Sequence, residues 1–372
     1  MLQSDVDNLV LTLYVFAFAF GASWGSFLNV VIYRLPLHLS VISPPSHCPA
    51  CKTPIRAYDN IPLLSWLLLR ARCRTCDVKI SPRYFGVELL VALLSLALAV
   101  HVLDGRVAAV LTGRIEFMAL FLAWSFLFVF IVGLVALFFI DLDITELPPE
   151  LTIPGIVLGL LYAYLLPTEG FFFDLVPNPT LVNSLLGASI GGGLILGLIV
   201  VYYLLTGRIG MGGGDIWMMA MVGAFVGWQG LFFIFLASSV QGIVVALGAV
   251  GVAKFRGEES GLFRNNEVDA LESQLGLGEQ ESEPPPGSET PESEAAYAAG
   301  DEAIIEAAAP LTDADAVAPA AAEALAAAPV RRPIGKFAIP FGPFIAVSAI
   351  EYMFIGEWFL SLLTHGVLHP NG

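Results

Sequence analysis

The sequence predicts an all-α polytopic membrane protein with about eight transmembrane helices, a small zinc-stapled loop domain and a disordered acidic insert. Three observations carry this. Of 372 residues, 57% are hydrophobic and only 13% are charged, whereas a soluble domain carries about a quarter charged residues. The apolar residues arrive in long blocks without Lys or Arg, and the mean hydropathy is +0.78. All four cysteines fall in one polar stretch, as two Cys-x2-Cys pairs.

The first block, Leu9 to Ile32, follows MLQSDVDN, which has two acids and no base. A cleaved signal peptide needs a basic start and a shorter apolar run, so this block is expected to remain as an anchor (domain 1–33). The next blocks are Phe85 to Leu103, Phe117 to Ile140, Leu151 to Leu166, Leu185 to Leu205, Ile216 to Gly227 and Leu231 to Ala253; the last is Phe337 to Leu363. Crossing the hydrocarbon takes about 20 helical residues, which leaves the fourth and sixth blocks short or tilted. The expected domains are therefore a transmembrane core over 85–253 and a last span with an outer tail over 337–372.

Residues 34–84 form the polar loop. Cys48-x2-Cys51 and Cys73-x2-Cys76 are separated by 21 residues, the pattern of a tetrahedral structural zinc site with four thiolates and no open position for water. So short a loop needs such a staple to fold firmly. His47, beside Cys48, is expected to be a bystander. Arg34 to Arg83 hold eight of the seventeen bases, so the positive-inside rule places this loop in the cytoplasm and the N-terminus outside. The loops after the third and fifth blocks then also face the cytoplasm. Arg106 and Arg114 on an external loop are the misfit.

The net charge of −16 belongs to one segment. Gly257 to Val330 contain seventeen of the thirty-three acids and one base, Arg264. Rich in Glu, Ala, Pro and Ser, the insert over 254–336 cannot close a core and is expected to be disordered, with a helical turn or two near Ala303 to Ala308. Its partner is unknown, and no nucleic-acid partner is expected.

Chemistry points to carboxylates at the cytoplasmic ends of the spans. Asp141 and Asp143 close the third block in FFIDLDITELPPE, and Asp215 opens the sixth in GRIGMGGGDIW. Acids at the edge of hydrocarbon are costly and face a cavity or a partner. Two from distant sequence on one membrane face suggest a dyad sharing one proton, the ionised member activating water and the protonated one polarising a carbonyl. Gly210, Gly212, Gly213 and Gly214 allow positive φ and close backbone approach, so an extended peptide can lie beside Asp215. Simple capping of two helices by the same residues is the bland alternative. Glu88 could bind a basic segment, while Asn29, Arg34 and Glu88 equally suit interhelical hydrogen bonding. Neither a Ser–His pair nor a nucleotide loop can be assembled; the glycines of 187–197 read as close helix packing.

Several ordered segments, GSFLNVVIYRLP, CPAC, CRTC, SPRYFGVELL, IDLDITELP, GMGGGD, GAFVGW and IPFGPFIA, resemble type IV prepilin peptidases, bifunctional leader peptidases and N-methyltransferases among the GxGD membrane aspartyl proteases. The resemblance covers most of the chain outside the acidic insert. It implies Asp215 as the second catalytic acid and Asp141 as the first, with Asp143 assisting or alternative. It also implies, in the bacterial inner membrane, cleavage of the basic leader of a prepilin or pseudopilin at the cytoplasmic face, just after a glycine. Methylation of the new N-terminus by S-adenosylmethionine follows. Two positions depart from the pattern: Trp217 replaces a usual Lys, and LPPE, ending in Glu150, replaces LPD. A carboxylate-dependent transporter and a non-catalytic assembly scaffold are the competing readings.

Overall fold

The computed structural model describes residues 3–103, 106–113, 116–166, 180–207, 212–255 and 341–368. Among these, long helices dominate, and pairing of extended chain is confined to two isolated bridges in the first polar loop. The helices are α1 (Gln3–Arg34), α2 (Leu64–Leu68), α3 (Pro82–Leu103), α4 (Val107–Leu111), α5 (Phe117–Ile144), α6 (Pro149–Leu165), α7 (Leu181–Thr206), α8 (Gly214–Phe255) and α9 (Gly342–Leu368). Five of them, α1, α3, α5, α7 and α8, are long and apolar enough to cross a membrane, while α6 and the start of α9 are shorter apolar helices. The chain is a multi-pass membrane protein.

Small residues set how these helices meet. α1 and α3 lie antiparallel and in close contact. A side chain at Gly21 would collide with Ser95 and Val91, and one at Gly25 with the backbone of Glu88. Buried Ser95 donates from Oγ to the Ala17 carbonyl at 2.7 Å, satisfying a hydroxyl that hydrocarbon cannot. On the other side of the bundle, Gly187 of α7 meets the backbone of Gly223, Gly191 that of Met219, and Gly192 the side of Ala220. The hydroxyl of buried Ser184 donates to the Ala224 carbonyl. Here Gly187, Gly191 and Gly192 do what the sequence suggests, bringing helices together as in other small-residue membrane interfaces, while Gly193 and Gly197 face open space.

The sixth and seventh apolar blocks form one helical run, α8, broken at Gly227, whose backbone is left-handed in φ (74°). The break reverses the chain. Gly214 packs on Leu147; Leu147 also touches Gly342; and the neighbouring Phe344 lies against Gly242. A straight helix would hold residues 214 and 242 about 42 Å apart, which these contacts forbid. α8 therefore runs from the Leu147 level to Gly227 and back, and its two limbs restore the span count that the apolar blocks predict. The return limb packs on α9 through Phe233 and Tyr352 and through Gln241, which donates to Glu351 at 2.8 Å. Residues of α8 from Leu247 onward belong to a second unit. Of it, only the last turns of α8, residues 247–255, are described; the expected disorder and the turns near Ala303 to Ala308 lie outside the described residues.

Arg106, the base that fits the charge rule poorly, is buried and donates to the His101 carbonyl at 2.9 Å. It caps the carbonyl end of α3, where a cation is favoured. Arg114 lies outside the described residues.

Substituting Gly187→Val forces the α7 and α8 backbones apart. Overpacking of this kind costs about 1–3 kcal/mol; a thermal melt of the detergent-solubilised protein should fall by several degrees, while Gly193→Ala, in open space, should leave it unchanged.

Candidate active site and metal centre

α5 ends at Thr145, which takes a left-handed conformation (φ 56°) while its N–H donates to the Asp141 carbonyl at 2.9 Å. Pro148 and Pro149 then start α6, where a missing N–H is harmless. The turn between them presents Leu147 inward, 8% exposed. Two distant segments close on that side chain. A Cβ at Gly214 would lie 2.7 Å from Leu147 Cβ, and one at Gly342 would lie 3.4 Å from Leu147 Cδ1. The turn thereby gathers the ends of α5, α8 and α9.

Asp141 sits at this junction, 5% exposed. Its Oδ2 is buried with no hydrogen-bond partner among the described residues, and a Cβ at Gly342 would stand only 2.6 Å from it. Asp215, half-buried at the start of α8, lies within the electrostatic reach of Asp141. Its N–H donates to the Gly212 carbonyl at 3.3 Å. Gly212 is 4.0 Å (built Cβ) from Asp215 Oδ2, and a side chain at Gly213 would meet nothing. Farther along the same helices, Phe130, Tyr162 and Phe225 of α5, α6 and α8 stack at 4.1 Å and 5.8 Å, fixing the three helices against one another.

The other sequence candidates sit apart from this pair. Asp143 is rotated roughly 200° from Asp141 on the helix and accepts two hydrogen bonds from Arg83, at 2.8 and 2.7 Å. That exposed pair ties the start of α3 to the end of α5. Glu88 accepts the Leu63 N–H at 2.7 Å, so its carboxylate is engaged by the polar loop. Asn29 donates to the Tyr84 carbonyl at 3.1 Å, an interhelical bond between α1 and α3. Arg34 donates to the Ser40 carbonyl at 3.0 Å. Gly210 lies outside the described residues. Leu147, Gly342 and Arg83 escaped the sequence reading as site residues, although Gly342 stands in the segment IPFGPFIA.

The four cysteines form a second centre. Their sulfurs all lie within 4.8 Å of one another, with Cys48–Cys76 at 3.7 Å and Cys51–Cys73 at 4.0 Å. Metal–sulfur bonds of about 2.3 Å in a tetrahedron set sulfurs about 3.8 Å apart, so the set fits one metal ion, and the thiols are unlinked. Each pair is held by the same turn. Lys52 and Asp77 follow the second cysteine of each pair with positive φ, and their N–H groups donate to the Cys48 and Cys73 carbonyls. Cys48 N–H donates to Thr53 and Cys73 N–H to Val78. Hydrogen bonds from Thr53, side chain first and backbone second, lower the Cys51 thiol to about 6, favouring the thiolate that metals bind. His47 instead places Nδ1 3.2 Å from the Pro45 carbonyl.

Comparison with known proteins adds the following. A profile of the bacterial peptidase A24 N-terminal domain matches residues 19–102, and one of the type IV leader peptidase family matches residues 128–247. The chain is similar to a prepilin leader peptidase/N-methyltransferase of Aeromonas hydrophila, 40% identical over 257 residues that cover 63% of this chain and 80% of the relative. It is likewise similar to proteins of that description from Neisseria gonorrhoeae, 35% identical over 282 residues (68% of this chain, 88% of the relative), and Myxococcus xanthus, 38% over 237 residues (63% and 62%). No solved structure matches.

Gly342→Ala should displace the Asp141 carboxylate without exposing it. Whatever reaction this centre performs should be largely lost, while the melting temperature stays near that of the parent protein; full activity in the variant would show that Asp141 need not hold its present place.

Proposed function

The chain belongs to the type IV leader peptidase family, and on that premise we propose that Asp141 and Asp215 are its catalytic pair. It removes leader peptides from type IV prepilins and N-methylates the product. The finer assignment is supported by one observation: a buried carboxylate oxygen of Asp141 without a partner, at the Leu147 turn on which Gly214, the residue before Asp215, also packs.

In this reading the two acids share one proton, since like charges at close range cannot both ionise cheaply. The ionised carboxylate takes a proton from water as the water oxygen attacks the scissile carbonyl. The protonated one donates to the carbonyl oxygen, and the proton is returned to the leaving amine as the C–N bond breaks. Gly212, Gly213 and Gly214 support an extended peptide: the space over Gly213 is open, and Gly214 must be bare to pass Leu147. Asp143 acts through Arg83 as a positioning group. Glu88 keeps the polar loop on α3. Cleavage at the cytoplasmic face of a bacterial inner membrane, with the N-terminus outside, follows from the basic loop over Arg34 to Arg83. Pseudopilins are substrates on the same chemistry, and the methyl donor is S-adenosylmethionine. The transfer step rests on the relatives' description and on no side chain of the described residues. The four cysteines hold zinc in a structural role, because four sulfurs complete its shell.

Cleavage of a purified prepilin by the protein in detergent tests the pair. General acid–base groups contribute about 10²–10⁴-fold; Asp141→Asn and Asp215→Asn should each lose that much, and Asp143→Asn much less. Retention of parental rates by either of the first two would overturn the assignment.

Metal analysis of the purified chain should find one zinc per molecule. Cys73→Ser should abolish it and render the 34–84 loop sensitive to trypsin, since a structural metal supplies folding free energy directly. A loop equally resistant with and without zinc would refute the structural role.

A further inference from the structure

The polar loop carries an apolar face that neither the metal nor the carboxylates use. In Ile61-Pro-Leu-Leu-Ser-Trp-Leu-Leu-Leu69 no residue is charged. Ile61, Leu64, Leu67 and Leu68 are exposed, Leu68 by 80%. Such a patch on a water-facing loop would be unstable and prone to association.

Its position decides what covers it. Leu63 has a positive φ (62°) and its successor's N–H donates to the Pro62 carbonyl at 2.7 Å, a strained γ-turn that survives only where the surroundings hold it. Glu88 holds it, accepting the Leu63 N–H, and the Trp66 ring lies 4.9 Å from that of Phe85. Phe85 and Glu88 belong to the first two turns of α3. This helix has 22 residues and is therefore about 33 Å long, little more than the roughly 30 Å hydrocarbon thickness. Glu88 lies about 9 Å along it, a depth reached only beneath the headgroups. Tyr84 and Leu90, near Phe85 and Glu88 in α3, are exposed too. The Arg83–Asp143 pair places this end of α3 on the membrane face that carries Asp141.

We propose that α2 is a membrane-embedded anchor: Ile61, Leu64, Leu67 and Leu68 insert among the acyl chains of the phospholipid leaflet on the Asp141 side. Exposed Arg70, at the end of the segment, meets the lipid phosphates, as basic residues flanking interfacial helices do. The metal centre is thereby fastened to the bilayer at one end and to α3 through Glu88 at the other. The segment enters the leaflet and returns without crossing it. Its irregular backbone at Leu63 is tolerated there because protein, rather than lipid, satisfies its N–H.

The native, metal-loaded chain tests this without substitution. It is reconstituted in nanodiscs of phosphatidylethanolamine and phosphatidylglycerol containing a phospholipid with a diazirine near the headgroup end of its acyl chain, irradiated, then denatured, stripped of metal and digested with trypsin. Cleavage after Arg56 and Arg70 releases Ala57–Arg70 as one peptide, and cleavage after Arg83 and Arg106 releases Tyr84–Arg106 from α3. Lipid adducts are expected on Leu64, Leu67 and Leu68 at a yield comparable to that on the α3 peptide. Labelling of Tyr84–Arg106 with none on Ala57–Arg70 would overturn the proposal and leave the face to a protein partner.

Discussion

Three segments far apart in the sequence meet at the turn between α5 and α6, and each contact tolerates nothing larger than a hydrogen. Gly214 passes over Leu147, and Gly342 wedges between Leu147 and the Asp141 carboxylate. Everything chemical follows from that closeness. A buried oxygen without a hydrogen bond costs free energy, by about 1–3 kcal/mol for a neutral group and more for a charged one, and hydrocarbon on several sides makes relaxation toward water difficult. The Asp141 oxygen is kept in that state because α5 cannot shift: its flank is stacked aromatic rings, and its end is tied to α3. A buried carboxylate with one oxygen unpartnered, packed on Gly342 and within electrostatic reach of a second acid, is arranged to receive a further group. A transporter would use such acids too, but it would place them near the middle of the spans; here Asp141 lies one turn from the end of α5 and Asp215 at the start of α8.

The opposite face of the same helix end does different work. Asp143 and Arg83 form a two-point pair at the surface, with Arg83 also over the Phe139 ring at 5.0 Å. Exposed pairs contribute only about 0.2–1 kcal/mol, so this pair is no main source of stability. The close contact of α1 with α3, sealed by glycines and the Ser95 bond, carries more. What the pair supplies is geometry: it stops the last turn of α5 from rotating about its axis, which would swing Asp141 away from Asp215. Glu88 and Asn29 add ties at the same end of α3, so the polar loop, α1, α3 and α5 are locked together within two helical turns.

Much of this was legible in the chain. Apolar blocks without bases announce spans because the bilayer demands uninterrupted apolar length, and the two Cys-x2-Cys pairs announce a tetrahedral cluster because sulfur geometry fixes the spacing. The aspartates were visible as costly acids at helix ends. The rest was hidden for physical reasons. Glu88 reads as an available acid, but its partner is a backbone N–H twenty-five residues earlier, and backbone donors leave no signature. Leu147 reads as one more leucine; its importance lies in what touches it. The reversal at Gly227, by contrast, was legible as the break between the sixth and seventh apolar blocks, at Gly227 and Leu231, although no charged residue marks it. That Asp141 and Asp143 face opposite ways could have been read from helical rotation alone, since two residues turn by roughly 200°.

The same rotation settles the weight of the departures from the family pattern. Trp217 stands where the family resemblance leads one to expect Lys, two residues after Asp215. It is turned about 200° from Asp215 on α8 and is 46% exposed. Glu150 is exposed in the first turn of α6, where a negative charge favours the helix start; it is separated from Asp141 by the Leu147 turn. Both changes therefore fall on surfaces around the centre, where a substrate or the lipid would meet the protein. The inner geometry, made of Asp141, Asp215, Leu147 and the two bare glycines, is left whole.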